Sequence, residues 1–291
     1  MSPERKLRTF EESTSIVTGG ASGIGLALGK ALAARGSQVV LADRQLDLAE
    51  EAADRLRNEG ARVTAVELDV RDLAAFERLV QQAVDGHGRL DYLFNNAGIG
   101  IAGNVQLHEI ADWYEMLDVN LRGVIHGVQA AYPIMVSQGF GHIVNTASMA
   151  GLLPTPGCVG YAAIKHAVVG LSESLRIEGA AAAVRVSVLC PGVIRTPILE
   201  DGGRYGRLLR PMPVEFQRRM WKRLRPMDVD RFAEKAIRAV AKNKPIIVIP
   251  WRWKLLWWFH RLSPSLLLRL GRWRFECLTR ELERLERAES S

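Results

Sequence analysis

Ser15-Ile16-Val17-Thr18-Gly19-Gly20-Ala21-Ser22-Gly23-Ile24-Gly25 is the stretch from which the rest of the chain can be read. A short β-prone run breaks into a glycine-rich turn, and a helical pattern follows through Leu26, Leu28, Ala31 and Leu32. Strand, turn and helix N-terminus in that order make a seat for a dinucleotide pyrophosphate. Glycines let the backbone approach closely, and the helix end offers unpaired N–H groups and a favourable dipole.

Downstream, the pattern alternates. Gln38 to Ala42 predicts a second strand ending on Asp43, and helix Leu46 to Glu59, strand Arg62 to Leu68, helix Ala74 to His87 and strand Leu90 to Phe94 follow. Regular βα alternation predicts an α/β fold: a three-layer, doubly wound parallel sheet of the Rossmann type. Asp43 lies about 20 residues past the glycines, where an acid accepts hydrogen bonds from the adenosine ribose. A carboxylate there favours NAD, while the neighbouring Arg44 leaves NADP open. Asp69 is placed to meet the adenine amino group or to cap a turn before Asp72. Asn95-Asn96-Ala97-Gly98 closes the fourth strand with the small residues and amides that a ligand crevice needs. Asn120 then opens a long helical pattern interrupted near Pro133. Gly141 to Thr146 is a fifth strand with Ser148 just beyond it, and Val184 to Leu189 is a sixth that runs into Cys190-Pro191-Gly192-Val193-Ile194-Arg195-Thr196-Pro197.

Between the fifth and sixth strands stands Tyr161-Ala162-Ala163-Ile164-Lys165. In a helix, positions i and i+4 share a face, so an ammonium comes near a phenol. Free tyrosine, with a pKa of about 10, is a poor base near neutrality. A cation roughly 5 Å away is worth about 3 kcal/mol at an effective dielectric of about 20, which predicts a phenol titrating near about 8.

Composition bounds the rest. The chain has 291 residues, long enough for one large α/β domain or two small ones, and its 48% hydrophobic and 24% charged residues are ordinary for a soluble globular protein. Cys158, Cys190 and Cys277 are odd in number and widely spaced, which suits a reducing compartment and gives neither a disulfide framework nor a metal-ligand set. Met1 to Glu12 is charged and lacks the apolar core of a secretory signal, and no apolar run is long enough to span a bilayer. A cytoplasmic protein is expected. Eleven Lys/Arg against five Glu between Lys242 and Ser291 account for most of the net charge of +7, and a second basic cluster runs from Arg204 to Arg225. No nucleic-acid-binding motif accompanies that charge.

Taken together, Thr18-Gly19-x-x-x-Gly23-x-Gly25, Asn95-Asn96-Ala97-Gly98, Asn120, Ser148, Tyr161-x-x-x-Lys165 and Pro191-Gly192 closely resemble the short-chain dehydrogenase/reductase family, over about Ser15 to Pro250. The resemblance implies that Tyr161 is a general acid/base, that Lys165 lowers its pKa and holds the nicotinamide ribose, that Ser148 bonds the substrate oxygen, and that Asn120 holds a water in a proton relay. It further implies a cofactor held by Gly19, Ser22, Gly23, Ile24, Gly25, Asp43, Arg44, Asp69, Val70, Asn96, Ala97, Gly98, Tyr161, Lys165, Pro191, Gly192, Val193 and Thr196, a secondary alcohol or ketone as substrate, and a homodimer or homotetramer. In such an assembly the helix after Tyr161, with Ala162, Ala163, Ala167 and Gly170, would form one contact. No motif position departs from the family pattern. The alternatives are a cofactor-binding regulator without activity and an isomerase or dehydratase on the same fold.

Three regions flank that core: an N-terminal arm (1–14), a substrate lid (195–230) within the main domain (15–250), and a basic, Trp-rich helical tail (251–291). The lid mixes Ile198, Leu199, Leu208, Leu209, Met212, Phe216, Met220 and Trp221 with arginines; the apolar set suggests a hydrophobic substrate of steroid, terpenoid, aromatic or lipid type, while the arginines either bind a carboxylate or a CoA phosphate or are solvated loop charge. Leu152, Leu153, Pro154 and Val159 are wall candidates opposite. The tail follows a seventh strand, Ile246 to Ile249, and carries Trp251, Trp253, Trp257 and Trp258 among cations. A second amphipathic pattern runs through Leu267, Leu270, Trp273, Cys277, Leu278, Leu282 and Leu285. Such helices lie peripherally in a membrane interface or pack on protein, and both readings stand.

Overall fold

The computed structural model describes residues 6–200, 205–210, 212 and 214–289; the first five residues of the arm, Arg204 and the last two residues lie outside them. Among the described residues, nine strands and eleven α-helices follow in chain order: β1 Thr14–Thr18, α1 Gly23–Ala33, β2 Gln38–Asp43, α2 Leu46–Asn58, β3 Val63–Glu67, α3 Leu73–His87, β4 Tyr92–Asn95, β5 Gly100–Ala102, α4 Ile110–Leu117, α5 Gly123–Gln138, β6 Gly141–Thr146, α6 Val159–Ala181, β7 Val184–Pro191, α7 Pro197–Glu200, β8 Gly206–Leu208, α8 Val214–Arg223, α9 Val229–Ala241, β9 Ile246–Ile249, α10 Trp251–Leu262 and α11 Pro264–Glu289.

Seven strands form one parallel sheet in the order β3-β2-β1-β4-β6-β7-β9. Val17 pairs with Leu41 on one side and Phe94 on the other, and Phe94 pairs in turn with Val144. Strands covered by helices on both faces read as continuous apolar runs, and Ile16, Val17, Leu41, Leu93 and Phe94 are accordingly wholly buried. One core cluster joins the sheet to α1, α2 and α9, and a second joins its other face to α3 and α5. Strand order reverses between β1 and β4, and ligands bind at the carboxyl edge of such a switch point.

Local chemistry explains several boundaries. Asp72 accepts from the Ala75 N–H to start α3, and Asp228 accepts from the Arg231 N–H to start α9. Gly88 and Gly139 end α3 and α5 in the left-handed conformation. The sequence reading fails at Pro133: α5 continues through it, because Ala130, Ala131 and Met135 are locked against the second core cluster and tertiary packing overrides the proline. The two-stranded β5–β8 sheet was also not foreseen from the sequence.

The arm folds onto the sheet. Phe10 is buried against Tyr92, 5.0 Å between ring centroids, and the Arg8 N–H donates to the wholly buried Asp91 carboxylate, which Arg89 also pairs. The tail folds back as well: Trp253, Trp257 and Leu267 pack against the cluster of α6, β7 and the turn after β6.

Candidate active site

The glycine turn is shaped by contact with the loop after β4. Gly19 has φ +64°, and a Cβ there would lie 2.9 Å from the Ala97 Cα. At Gly25 a Cβ would overlap the Gly19 carbonyl oxygen. The Thr18 hydroxyl accepts from the Asn96 and Ala97 N–H groups, and Asn96 Nδ2 donates to the Thr18 carbonyl at 3.1 Å, tying the ends of β1 and β4 together. Ser22 precedes α1 with an extended backbone and a hydroxyl that makes no cap bond, and the first turn, which includes Ile24, holds no acid. That end of α1 keeps its N–H groups and positive pole for an anion.

At the second strand's end, the Asp43 carboxylate accepts from the Ala21 N–H at 3.1 Å and the Gln45 N–H at 3.0 Å, and it is buried. Arg44 is exposed, and its charge acts on Asp69. Asp69 is engaged by the Arg71 guanidinium, which holds its carboxyl below the usual range. Val70 is buried against the Cα of Gly123, where a Cβ would stand 2.7 Å from it.

A single five-residue π turn, Asp118–Arg122, carries Asn120. Such turns redirect a helix locally and recur at functional sites. Asn120 is wholly buried, donating from Nδ2 to the Ile99 carbonyl and accepting at Oδ1 from the Ile99 N–H, both at 2.9 Å. Its side chain is thus spent on the loop after β4, so a bound water would fall to its backbone. Gly98 lies between: a Cβ there would be 2.7 Å from Asn120 Oδ1 and 3.7 Å from Lys165 Nζ.

Tyr161 and Lys165 stand one turn apart on α6, as their spacing requires. Lys165 Nζ lies over the Tyr161 ring, 5.6 Å from its centroid, and donates to the Thr146 carbonyl at 2.9 Å. Ser148 starts the short turn after β6, accepts from the Ala150 N–H, and hydrogen-bonds Tyr161. The anticipated drop in the Tyr161 pKa is not found. Burial pushes the phenol up to about 12, the Ser148 hydrogen bond pulls the other way, and the Cys158 thiol adds to the rise. Burial also pulls the Lys165 ammonium down to about 8. Removing water penalises both charged forms, and the lysine is directed at β6 instead of the phenol.

Beyond β7, Pro191 ends the strand, and the Gly192 N–H donates to the Ile249 carbonyl at 2.8 Å. Val193 accepts from the Met227 N–H at 2.9 Å. Thr196 comes within van der Waals reach of Gly23, 3.6 Å from an added Cβ, so this loop closes on the glycine turn. The outer side of Gly192 is covered by the Trp253 indole, which leaves no room for a Cβ.

The predicted catalytic and cofactor residues therefore lie along one sheet edge, with Gly98, Asn120, Ser148, Tyr161, Lys165, Gly192 and Thr196 toward β4, β6 and β7, and Gly19, Asp43 and Asp69 toward β1, β2 and β3. Leu152 and Leu153, offered as walls, are instead buried in the cluster beneath α6. Sequence reasoning missed Thr18 as the clamp between turns. It also missed the relay Asn95–Asn145–Ser172, in which each side-chain amide donates to the next residue at 2.9 Å. A third omission was Tyr205, whose hydroxyl accepts from Gln45 Nε2 at 3.2 Å. Only the polar residues inside apolar strands signalled the relay.

Residues 13–204 match the family model described as short chain dehydrogenase. Oxidoreductase UcpA of Salmonella typhimurium is 38% identical over 192 residues, 66% of this chain and 73% of that protein. The 2,5-dichloro-2,5-cyclohexadiene-1,4-diol dehydrogenase LinX of Sphingobium indicum is 36% identical over 184 residues, 63% of this chain and 74% of its own length. Among solved structures, a short chain dehydrogenase/reductase from Burkholderia phymatum in complex with NAD superposes with a TM-score of 0.78 at 32% identity, covering 89% of this chain and 96% of that one.

Proposed function

This chain belongs to the short-chain dehydrogenase family, and we propose that it transfers a hydride between NAD and an apolar secondary alcohol or ketone, with Tyr161 as the proton donor and acceptor. The observation that carries the reading is the convergence of Ser148, Tyr161 and Lys165 with Gly98 and Asn120 at the switch-point edge.

The residues present fit the cofactor. Gly19 and Gly25 let the turn close tightly on Ala97 and on itself, which sets the free N–H groups at the start of α1 for a pyrophosphate, and the buried Asp43 carboxylate favours a ribose hydroxyl over a 2′-phosphate. NAD held there supplies or takes the hydride at its nicotinamide. Lys165 would hold the nicotinamide ribose, and the Pro191–Thr196 loop the carboxamide. Ser148 would bond the substrate oxygen and steady its developing charge.

With its pKa raised, Tyr161 keeps its proton at neutral pH, which suits a general acid that protonates the oxygen of a carbonyl being reduced. The reverse reaction needs that proton removed, through Lys165 and a water at the Asn120 backbone. An apolar substrate is supported by the surroundings of Tyr161: Ile99, Ile101, Met116, Ile164 and Leu209 form one cluster with it, Leu209 coming from the proposed lid 195–230. The decisive experiment is turnover of NADH with a panel of apolar ketones. Tyr161→Phe should lose about 10²–10⁴-fold in kcat while binding NADH as before. Equal rates would remove Tyr161 from the role.

The proposal extends to assembly and place. Ala163, Ala167 and Gly170 lie exposed on α6, with Ile177 78% exposed, as a homodimer or homotetramer contact requires, whereas Ala162 turns inward. Three unpaired thiols fit the cytoplasm, and the tail offers a peripheral membrane contact.

A further inference from the structure

The α10–α11 hairpin has two different sides. Its inner side is anchored to the molecule: Trp253 covers Gly192, and Trp257 and Leu267 meet the core. It also grips the segment proposed as the substrate lid. Arg252 donates to the carbonyls of Leu224 and Arg225 at 3.0 and 2.6 Å, and Glu281 pairs with Arg219 and Arg223 of α8 at 2.8 and 3.5 Å.

Among the described residues, nothing covers the outer side. On α10, Trp251, Leu255, Trp258 and Leu262 recur at helical spacing as one exposed stripe, with Leu262 81% exposed. On α11, Leu266, Leu270 and Trp273 form a second exposed stripe at helical spacing, with Trp273 65% exposed. Exposed tryptophans and leucines gathered on two neighbouring helices mark a binding face. Its charge selects the occupant. Between Trp251 and Arg284 stand eight Lys/Arg and three Glu, and Lys254, Arg269 and Arg274, which flank the stripes, make no ion pair among the described residues. Neither helix is long and apolar enough to cross a membrane. Tryptophan and leucine bordered by cations, on helices too polar to span, suit the headgroup region of an anionic bilayer.

We propose that the outer face of the α10–α11 hairpin seats on an anionic lipid surface, holding the lid helix α8 on its inner side so that apolar alcohols and ketones reach Tyr161 from the bilayer. This deepens, and rests on, the peripheral-membrane part of the functional reading.

The test is co-sedimentation of the full chain with phosphatidylcholine vesicles, with and without phosphatidylglycerol, compared with the triple variant Leu255→Glu, Leu262→Glu and Trp273→Glu. All three side chains are solvent-facing and none is among the cofactor residues, so NADH binding and the circular dichroism spectrum should not change. The intact chain should sediment with the anionic vesicles at least about tenfold more than with the neutral ones, lose that binding as salt rises, and lose it in the variant. Failure to sediment with anionic vesicles overturns the proposal, as does equal binding by the variant. If the variant instead dissociates a dimer of the intact chain in sedimentation velocity while vesicles bind neither, the face belongs to a second copy. Sedimentation needs no substrate or turnover, so its failure is distinct from failure of the hydride-transfer reading.

Discussion

At the carboxyl edge of the sheet, Asn120, Asp43 and Lys165 are buried, and each is held by backbone groups of a neighbouring loop or strand end. Along α10 and α11 the arrangement is inverted, with Trp251, Leu262 and Trp273 standing 69%, 81% and 65% exposed. Polar groups can go inside when their hydrogen bonds go with them, whereas apolar groups left outside need a partner from elsewhere. The first region is complete within one chain and lies mostly inside the part that matches the family model, residues 13–204; the hairpin lies wholly beyond it. Substitutions should therefore behave oppositely in the two regions, with large effects at the edge and small ones along the outer face of the hairpin.

The largest effect is expected at Gly25. In Gly25→Ala the added methyl meets the Gly19 carbonyl, a backbone atom that cannot step aside, so the thermal transition should fall by the equivalent of about 3 kcal/mol and NADH binding should be lost. A normal transition with normal binding would show that the turn is less tightly drawn than described.

Lys165 tests the edge through pH. Its pKa falls from 10.5 to about 8 in the folded protein, so between those values the unfolded chain binds more protons and stability rises with pH. Full relief amounts to about 3 kcal/mol. Across pH about 8 to 10, wild type should gain stability relative to Lys165→Met, measured as the difference in urea midpoints. Parallel curves would mean the ammonium is solvated. Tyr161 has the opposite sign, because its raised pKa lets the folded state hold a proton longer, and the stability it contributes is lost as pH climbs from 10 toward about 12.

A smaller change is expected for Asp43→Ala. It frees the Ala21 N–H and removes the ribose acceptor, so NAD binding should weaken about tenfold while NADP binding weakens less or improves. Calorimetry with both cofactors decides this, and equal losses would take Asp43 out of cofactor choice. The smallest effect belongs to the hairpin. Leu262→Gln in vesicle-free buffer should alter stability by no more than about 0.5 kcal/mol and leave NADH binding unchanged. A large loss would show that the outer face is already covered by protein.

Much of the edge was legible because its requirements are local. Gly19 to Gly25, Asn95 to Gly98 and the Tyr161–Lys165 spacing each encode their conformation in a few neighbouring residues, and βα alternation brings them to one edge. Features that depend on distant partners were not legible. The sign of the Tyr161 shift depends on burial and on Lys165 choosing the Thr146 carbonyl, and helix spacing reveals neither. Pro133 was read as a break because its rescue comes from core packing, and the β5–β8 pair joins segments too short to announce themselves as strands. The tail showed its amphipathic pattern plainly. Which side faced inward depended on Trp253 meeting Gly192, a contact between residues about 60 positions apart that no local pattern contains.

Isotope transfer tests the central claim most directly. The protein is incubated with an apolar ketone and NADH carrying deuterium at the transferable C4 position, and the product alcohol is analysed by mass spectrometry. The account predicts one deuterium on the carbinol carbon with wild type and about 10²–10⁴-fold less product with Tyr161→Phe. Alcohol formed without deuterium, or labelled at the same rate by the variant, would contradict it.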